Sequence, residues 1–261
     1  MKDSLGDRMK TYYEDRTRIY LPRRTYTVIR IDGKAFHSYT KGLERPFDLG
    51  LIEDMNETTK FLCENIQGTK LGYVQSDEIS IVLTDFDNLG TSAWFDNNIQ
   101  KMVSIASSMT TAKFNQLRFQ RGIGIDELKP VKASTIIKQF KLATFDARVF
   151  TIPTKTETIN YFIWRQEDAT RNSIQSVAQS LYSHKELHLK NTNQMQEMIY
   201  QKGINWNEYD SGLKRGRLIV KEYYDLITNS GVTVRSKWDV VDTPIFKVSD
   251  DNLSMFIPVN E

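Results

Sequence analysis

The chain has 261 residues, of which 39% are hydrophobic and 26% charged, and its formal net charge is +2. This composition is typical of a soluble protein with a substantial core. Cys63 is the only cysteine, which excludes an intramolecular disulfide and a cysteine-based zinc site and favours a reducing cytoplasm. No apolar run approaches the roughly 20 residues of a membrane span, so we expect no membrane partner.

The charge is unevenly distributed along the chain. Residues 51–100 carry nine acids against two lysines, whereas residues 101–150 carry nine Lys or Arg against three acids. An acidic region that holds cations beside a basic region that holds phosphates is typical of an RNA enzyme. Two complementary faces that pack together, or that simply face water, are the alternative.

The first half of the chain predicts alternating strands and helices. A polar helix over 3–18 precedes a strand over 25–32, which ends at Asp32-Gly33. A helix over 48–66, capped by Asp48, is followed by a hairpin of two strands, 71–75 and 79–83. A second long helix is predicted over 91–117, with Thr91 or Ser92 as its cap. Residues 118–143 are basic and predicted to be irregular or mobile, and the last strand covers 145–151.

This order of elements is the βαββαβ order of the ferredoxin-like fold, an α+β class. In that topology the end of the first strand lies beside the central hairpin, so Asp32 and Asp77 should converge although they are 45 residues apart. Many nucleic-acid polymerases and nucleotidyl cyclases share this palm arrangement, and the fold alone does not choose between them.

The second half of the chain predicts an elaboration of this unit. Helices are expected over 166–183 and 192–202, the latter ended by Gly203. Strands over 216–224 and 231–238 should form a hairpin, and the tail from residue 239 has no clear period. Four basic residues are expected on the exposed surface of the hairpin: Arg217, Lys221, Arg235 and Lys237. We therefore divide the chain into a palm-like catalytic domain with an N-terminal helix, 1–153, and a C-terminal helical and hairpin elaboration packed on it, 154–261.

Two acidic motifs predict the chemistry. The adjacent acids Asp77 and Glu78 occupy a hairpin turn, where like charges repel unless a divalent cation is bound. Asp32 ends a strand and is followed by Gly33, which permits close approach of the backbone to a ligand, and by the cation Lys34. Alternatively, each motif is an ordinary solvated turn. Together they indicate two carboxylates that hold metal-bound polyphosphate.

The segments RIDGKAFH (30–37) and GYVQSDE (72–78) resemble the paired metal motifs of the tRNA(His) guanylyltransferase superfamily, whose members add nucleotides to RNA 5′ ends in the 3′-to-5′ direction. The resemblance continues through YTKGLERPFD (39–48), FDARVF (145–150), NYFIWRQEDATRNS (160–173), AQSLYSHKELH (178–188) and GINWNEY (203–209). It covers nearly the whole chain. The later segments are most similar to the guanylyltransferase-like branch, which repairs 5′-truncated tRNAs.

The resemblance implies a role for each motif residue. Asp32 and Asp77 are implied ligands of two Mg²⁺ ions, with the Gly33 carbonyl completing one shell and Glu78 as a ligand or a supporting group. The triphosphate of the incoming nucleotide is expected along residues from three segments: Lys34, Ala35, Phe36 and His37, then Ser76, and then Lys101, which faces the same region one helix away. A plain surface histidine remains the alternative for His37, and a role in shaping the turn remains the alternative for Ser76.

A second group of residues is implied in RNA binding. Arg148 on the last palm strand is expected to bind substrate phosphate or to pair with a palm acid. The expected contacts to the RNA 5′ end are Arg165, Arg171, Asn172, His184, Lys185 and His188, and a helix face packed on another subunit is the alternative. His184 and His188 do not match the His-Glu-x-x-His zinc pattern.

The sequence departs from the eukaryotic guanylyltransferases at two places. Their His-Ile-Asn-Asn run survives only at its first Asn position, as Asn172, and Asn98 replaces an arginine that contacts phosphate. Template-dependent repair is therefore favoured over recognition of histidine tRNA. Asp32→Ala or Asp77→Ala should abolish activity.

The resemblance also implies cofactors, partners and assembly. ATP or GTP is expected as the activator of the 5′ end, NTPs as substrates, tRNA as the partner, and a homotetramer built as a dimer of dimers. A nucleotidyl cyclase on the same palm, and a non-catalytic tRNA-binding or tRNA-chaperone protein, are the alternative functions.

Overall fold

The computed structural model describes residues 4–123, 141–228, 231–241, 243–247 and 251–260. Most of the basic segment predicted to be irregular, residues 124–140, lies outside these ranges. Residues 118–123 of the segment are described, and they are helical rather than irregular. Arg118 and Arg121 both bond from the second long helix to the buried carboxylate of Asp54.

Six strands form one antiparallel sheet in the order β4-β1-β3-β2-β5-β6. They are β1 (Tyr26–Gly33), β2 (Thr69–Gln75), β3 (Glu78–Leu83), β4 (Phe145–Ile152), β5 (Arg217–Thr228) and β6 (Gly231–Val241). The first four, with the helices between them, have the order and connections of the ferredoxin-like fold, which confirms the predicted class. The C-terminal hairpin β5–β6 extends the same sheet at its β2 edge.

The helices flank this sheet. They are α1 (Ser4–Met9), α2 (Phe36–Tyr39), α3 (Leu49–Asn65), α4 (Ile99–Ile123), α5 (Lys155–Leu181), α6 (His184–Leu187), α7 (Thr192–Gln201), α8 (Ser211–Arg215) and α9 (Asp251–Ser254). A π-helical turn, Lys10–Glu14, and a 3₁₀ turn, Asp15–Thr17, continue α1. Two more 3₁₀ turns cover Trp94–Asn97 and Trp206–Glu208. None of the helices within the described ranges is long and apolar enough to cross a membrane.

Alternation along β1 assigns its residues to two faces of the sheet. Ile29 and Ile31 pack with α3 and α4 in one buried cluster. Tyr26 and Val28 face the other way, where they pack with α5 and with the C-terminal tail. Residues 253–258 of the tail therefore lie against the sheet, and the Tyr26 hydroxyl donates to the Pro258 carbonyl at 2.8 Å. Arg30 and Asp32 continue this second face, so the charged residues of β1 lie beyond its apolar part.

Two of the three long helices, α4 and α5, start at residues other than those predicted. Helix α3 begins as expected, because the Asp48 side chain accepts the Leu51 amide at 2.7 Å. Helix α4 begins eight residues later than expected, because Phe95, Asp96 and Asn97 all have positive φ angles of 49°, 51° and 59°. Residues with such φ angles are left-handed, so a right-handed α-helix cannot run through them. The cap of α4 is Asn98, whose side chain accepts the Lys101 amide at 3.0 Å.

Helix α5 begins at Lys155, eleven residues before the predicted start. Thr154 caps it by accepting the Glu157 amide at 3.2 Å, a Thr-x-x-Glu signal that identifies a helix start. Ile159 and Phe162 then continue the buried stripe of the helix.

The C-terminal hairpin is longer than predicted, and one of its four expected surface cations is buried. Strand β5 pairs with β2 only over 217–220, so the hairpin projects beyond the sheet from residue 221 onward. Arg217 lies inside the sheet and is 8% exposed. Its side chain points toward α3, where its Nε donates to the Asn56 side chain at 2.7 Å.

Candidate active site

The central hairpin presents Asp77 in a two-residue turn. Gln75 pairs with Glu78 across the turn, and Ser76 has a positive φ of 47°. The Ser76 hydroxyl donates to the Asp77 carboxylate at 3.0 Å. In the β1–β3 register, Asp32 lies directly opposite Glu78. The structure thus brings Asp32 and Asp77 to one end of the sheet, as the topology predicts.

The electrostatics of this end favour a bound cation. Burial raises the pKa of Asp77 to about 6, and the negative charges of Asp32 and Glu78 add to the rise. A divalent cation removes this repulsion. Within the described ranges, no cluster of three or more His, Cys, Asp or Glu side chains has the arrangement of a metal site.

Glu78 has a different environment from its neighbour. Its carboxylate is 7% exposed and accepts a hydrogen bond from Arg30 of β1. Its Oε2 also lies 3.4 Å from Nη1 of Arg165, which belongs to α5. The other oxygen, Oε1, has no partner among the described residues. Glu78 is thus engaged by two guanidinium groups.

The segment after Asp32 forms a tight turn into α2. A Cβ at Gly33 would lie 2.2 Å from the ring of Phe36, so only glycine fits there. The amide of Lys34 is occupied, because it donates to the Thr144 carbonyl at 2.8 Å. The amides of Ala35, Phe36 and His37 have no partner in the described part of the chain, and Lys34 and His37 have exposed side chains. A phosphate would therefore meet the amides of 35–37 rather than that of Lys34.

Lys101 lies at the other end of the sheet, which corrects its expected place beside the triphosphate. It belongs to the first turn of α4, whose amide at Ile99 donates to the Ile19 carbonyl. Residue 19 precedes the start of β1, whereas Asp32 is near its end, about 20 Å away at roughly 3.3 Å per residue. The lysine side chain packs over Phe95, 5.8 Å from the ring centroid.

The residues expected to contact RNA fall into two groups. Arg148 lies opposite Arg30 on β4, is exposed, and pairs with Asp146 at 3.4 Å. The others on the surface are Arg171 and Asn172 of α5, with His184, Lys185 and His188 in or next to α6. Arg165 is the exception. It is 2% exposed, which leaves it no surface for direct contact with RNA, because it pairs with Glu78 and Asp168 inside the fold.

A cleft that the sequence did not reveal opens beside the turn. It has a volume of about 140 Å³ and is bounded by the residues Pro46, Phe47, Asp48, Leu51, Ile52, Gln75, Ser76, Ala169, Asn172, Ser173, Ser176, Gly212, Leu213, Gly216 and Arg217. Arg217 donates from Nη1 to the Gly212 carbonyl at 3.1 Å, and its Nη2 has no partner within the described ranges. Burial lowers the pKa of Arg217 to about 10. Neither of its two hydrogen-bond acceptors is a carboxylate.

Comparisons with known proteins bear on the family of this chain. The sequence profile of tRNA(His) guanylyltransferase matches residues 6–153. A bacterial tRNA(His) guanylyltransferase-like protein, solved in complex with ATP, is 44% identical, with a TM-score of 0.82 over 98% of this chain and 100% of that one. A second such structure, in complex with GTP, is 43% identical, with a TM-score of 0.78 over 98% and 99% of the two chains.

A curated relative extends the match to eukaryotes. The tRNA(His) guanylyltransferase of Debaryomyces hansenii is 28% identical over 212 residues, which are 76% of this chain and 74% of the relative. The members of this family are nucleotidyltransferases. With its palm fold and paired carboxylates, the chain belongs to the tRNA(His) guanylyltransferase family.

Proposed function

We propose that the protein is a Mg²⁺-dependent enzyme that adds nucleotides to the 5′ end of tRNA in the 3′-to-5′ direction, repairing 5′-truncated tRNA against the opposing strand. The observation that carries this proposal is the meeting of Asp32 and Asp77 at one end of the sheet, beside a cleft. The ATP and GTP complexes of the bacterial relatives support nucleotide binding at this palm.

The residues at this end fit Mg²⁺. Asp32, Asp77 and the Gly33 carbonyl would hold it, because a cation would offset the burial and the negative charges that raise the pKa of Asp77. When bound, Mg²⁺ makes the attacking hydroxyl more acidic and stabilises the leaving group of a phosphoryl transfer.

The chain's own residues bind and orient the nucleotide and the RNA. The amides of 35–37 face the phosphates, and the cleft beside Ser76 offers apolar walls from Phe47 and Leu51 to a base. Arg148, which lies on the same face of the sheet as Arg30, supplies a positive charge to the RNA backbone. Arg171 and Asn172 extend this surface along α5.

The reaction has two modes. A 5′-monophosphate end is first activated by ATP or GTP, which transfers a nucleoside monophosphate to it and releases pyrophosphate. The 3′-hydroxyl of an incoming NTP then attacks the activated 5′-phosphate, and the nucleoside monophosphate leaves. A 5′-triphosphate end needs no activation, because pyrophosphate is the leaving group. Each addition leaves a new 5′-triphosphate on the RNA.

A tRNA that lacks its first 5′ nucleotide and carries a labelled 5′-monophosphate tests this function. With Mg²⁺, ATP and each NTP in turn, we expect addition only of the nucleotide complementary to the opposing 3′ strand. Full-length tRNA(His) is the comparison. Addition of G to it, against any template, would instead assign the protein to histidine-tRNA maturation. No extension of either RNA would contradict the proposal, and separation of labelled GTP products would then test for a cyclase.

The projecting hairpin supports assembly into a homotetramer. One face of β5–β6 beyond residue 220 presents Tyr223, Ile227, Val232 and Val234, each at least 64% exposed. A two-stranded ribbon with exposed apolar side chains is marginally stable in water without a covering surface. A second copy of the chain covers this face in the proposed assembly.

Adding charge to this face should separate the subunits. We expect the pair of changes Ile227→Lys and Val234→Lys to shift the mass measured by light scattering to that of a smaller assembly. The matched control is Glu222→Lys with Arg235→Glu on the opposite face of the same ribbon, which should leave the mass unchanged. An unchanged mass for the first pair would refute the role of the apolar face.

A further inference from the structure

A chain of charges runs from the metal-binding end of the sheet to the surface of α5. Arg30 and Arg165 both engage Glu78, the residue that follows Asp77. Nη2 of Arg165 lies 2.5 Å from Asp168, whose second oxygen accepts from Arg171 at 2.8 Å. Arg171 is about half exposed, so the chain begins at a surface and ends beside the turn.

Arg165 is the central member of this chain, and its burial is unusual. It is the largest fully buried side chain among the described residues, with its guanidinium 3.9 Å from the Trp164 ring centroid. Burying an ion pair does not in general stabilise a fold more than well-packed apolar side chains would. An apolar residue on this face of α5 would join the buried neighbours Phe162 and Ala169. Stability alone therefore gives no reason for an arginine here.

The location of Glu78 supplies a reason. Glu78 is paired in register with Asp32 and adjoins Asp77, so movement of its carboxylate would shift the turn that presents Asp77 to a cation. Arg30 and Arg165 neutralise its charge and restrict its rotamer. Mutation of residues that orient a metal-binding group from behind typically lowers metal affinity by about 10- to 100-fold.

We infer that Arg165 is a positioning residue, which holds Glu78 in place and so fixes the turn that presents Asp77. Asp168 keeps Arg165 in place, and Arg171, on the RNA side of α5, completes the chain. The inference rests on the proposed function for its substrate, but the arrangement itself is independent of RNA.

Metal titration of Arg165→Gln tests this inference without RNA. With Mn²⁺ as the probe in isothermal titration calorimetry, we expect the dissociation constant to rise by about 10- to 100-fold. In nucleotide addition, kcat should fall while KM for the tRNA stays constant, because Arg165 is buried. Arg165→Lys should recover part of the affinity, since one ammonium replaces a fork that reaches two carboxylates.

Two variants distinguish a positioning role of Arg165 from a purely structural role and from a role in RNA binding. Asp54→Asn breaks a comparable buried cluster on the opposite face of the sheet, where Arg118 and Arg121 hold Asp54. It should lower Tm and leave Mn²⁺ affinity unchanged. Arg171→Gln should raise KM for the tRNA while changing the Mn²⁺ dissociation constant by less than about threefold, as its contact with Glu78 is indirect.

The inference is overturned if Arg165→Gln loses Tm as Asp54→Asn does but binds Mn²⁺ like the wild type. Should Arg165→Gln fail to fold, Asp168→Asn, which changes a partly exposed member of the chain, decides by the same titration. Unchanged Mn²⁺ affinity in that variant would equally refute it. A wild type that binds Mn²⁺ but extends no tRNA would contradict the proposed function alone.

Discussion

Asp77→Asn is expected to reduce nucleotide addition by at least about a hundredfold and, at the same time, to raise the Tm of the metal-free protein. The activity falls because an amide oxygen carries no charge to hold the cation. The stability rises because burial disfavours the ionised Asp77 carboxylate and Asp32 and Glu78 repel it, whereas the neutral asparagine side chain has no such penalty. The gain should be on the order of 1 kcal/mol, or a few degrees in Tm.

The pH dependence of stability gives an independent readout of the same carboxylate. The pKa of Asp77 rises from 3.8 to about 6 on folding, so ionisation of this group opposes folding. Its unfavourable contribution is absent below the lower value, grows as the pH rises toward 6, and is constant above that. Urea unfolding of the metal-free protein between pH 4 and 7 should show this loss in the wild type and not in Asp77→Asn. An Asp77→Asn variant no more stable than the wild type at pH 7 would contradict the expectation.

Glu78→Ala is expected to have the largest effect on stability, a loss of about 3–5 kcal/mol. The change leaves the guanidinium of Arg30, which is 19% exposed, without its carboxylate, and takes one of two carboxylates from Arg165. Thermal unfolding should show a fall in Tm of about 10 °C or more.

Asp54, another buried carboxylate, provides a matched comparison for Glu78→Ala. Asp54→Ala also removes a carboxylate that is held by two arginines, but Arg121 is 46% exposed and can be hydrated once freed. We expect a smaller loss for Asp54→Ala than for Glu78→Ala. Equal losses would show that burial of the arginines does not set the cost.

The sequence predicts the palm because its signals are local. Strand alternation, the Asp48 cap and the acidic hairpin place Asp32 and Asp77 at one end of the sheet, with the right topology. Side-chain environments at longer range are not encoded in this way. The resemblance implies an RNA contact for Arg165, yet its burial against Glu78 depends on how α5 crosses the sheet.

Two other differences have equally specific causes. The expected start of α4 rested on Thr91 or Ser92 as the cap, but the left-handed backbone of Phe95 to Asn97, which no local pattern marks, delays the helix. Lys101 lies at the far end because α4 follows β3, which runs away from the turn that carries Asp77. Arg217 alternates in a strand that was expected to be exposed, and the pairing of β5 with β2 buries it. The cleft beside Ser76 is formed by four separate segments, so no single stretch of sequence indicates it.

The length of β1 between its apolar and charged parts is fixed by the sheet. Val28 packs in the core, while Arg30 and Asp32 continue the same face toward the catalytic end. Inserting or deleting one residue between them would turn the two charged side chains toward α3 and α4, and would expose an isoleucine at the cation site. Natural variation in this segment should therefore consist of substitutions alone, and relatives that retain activity should show no gaps between positions 28 and 32.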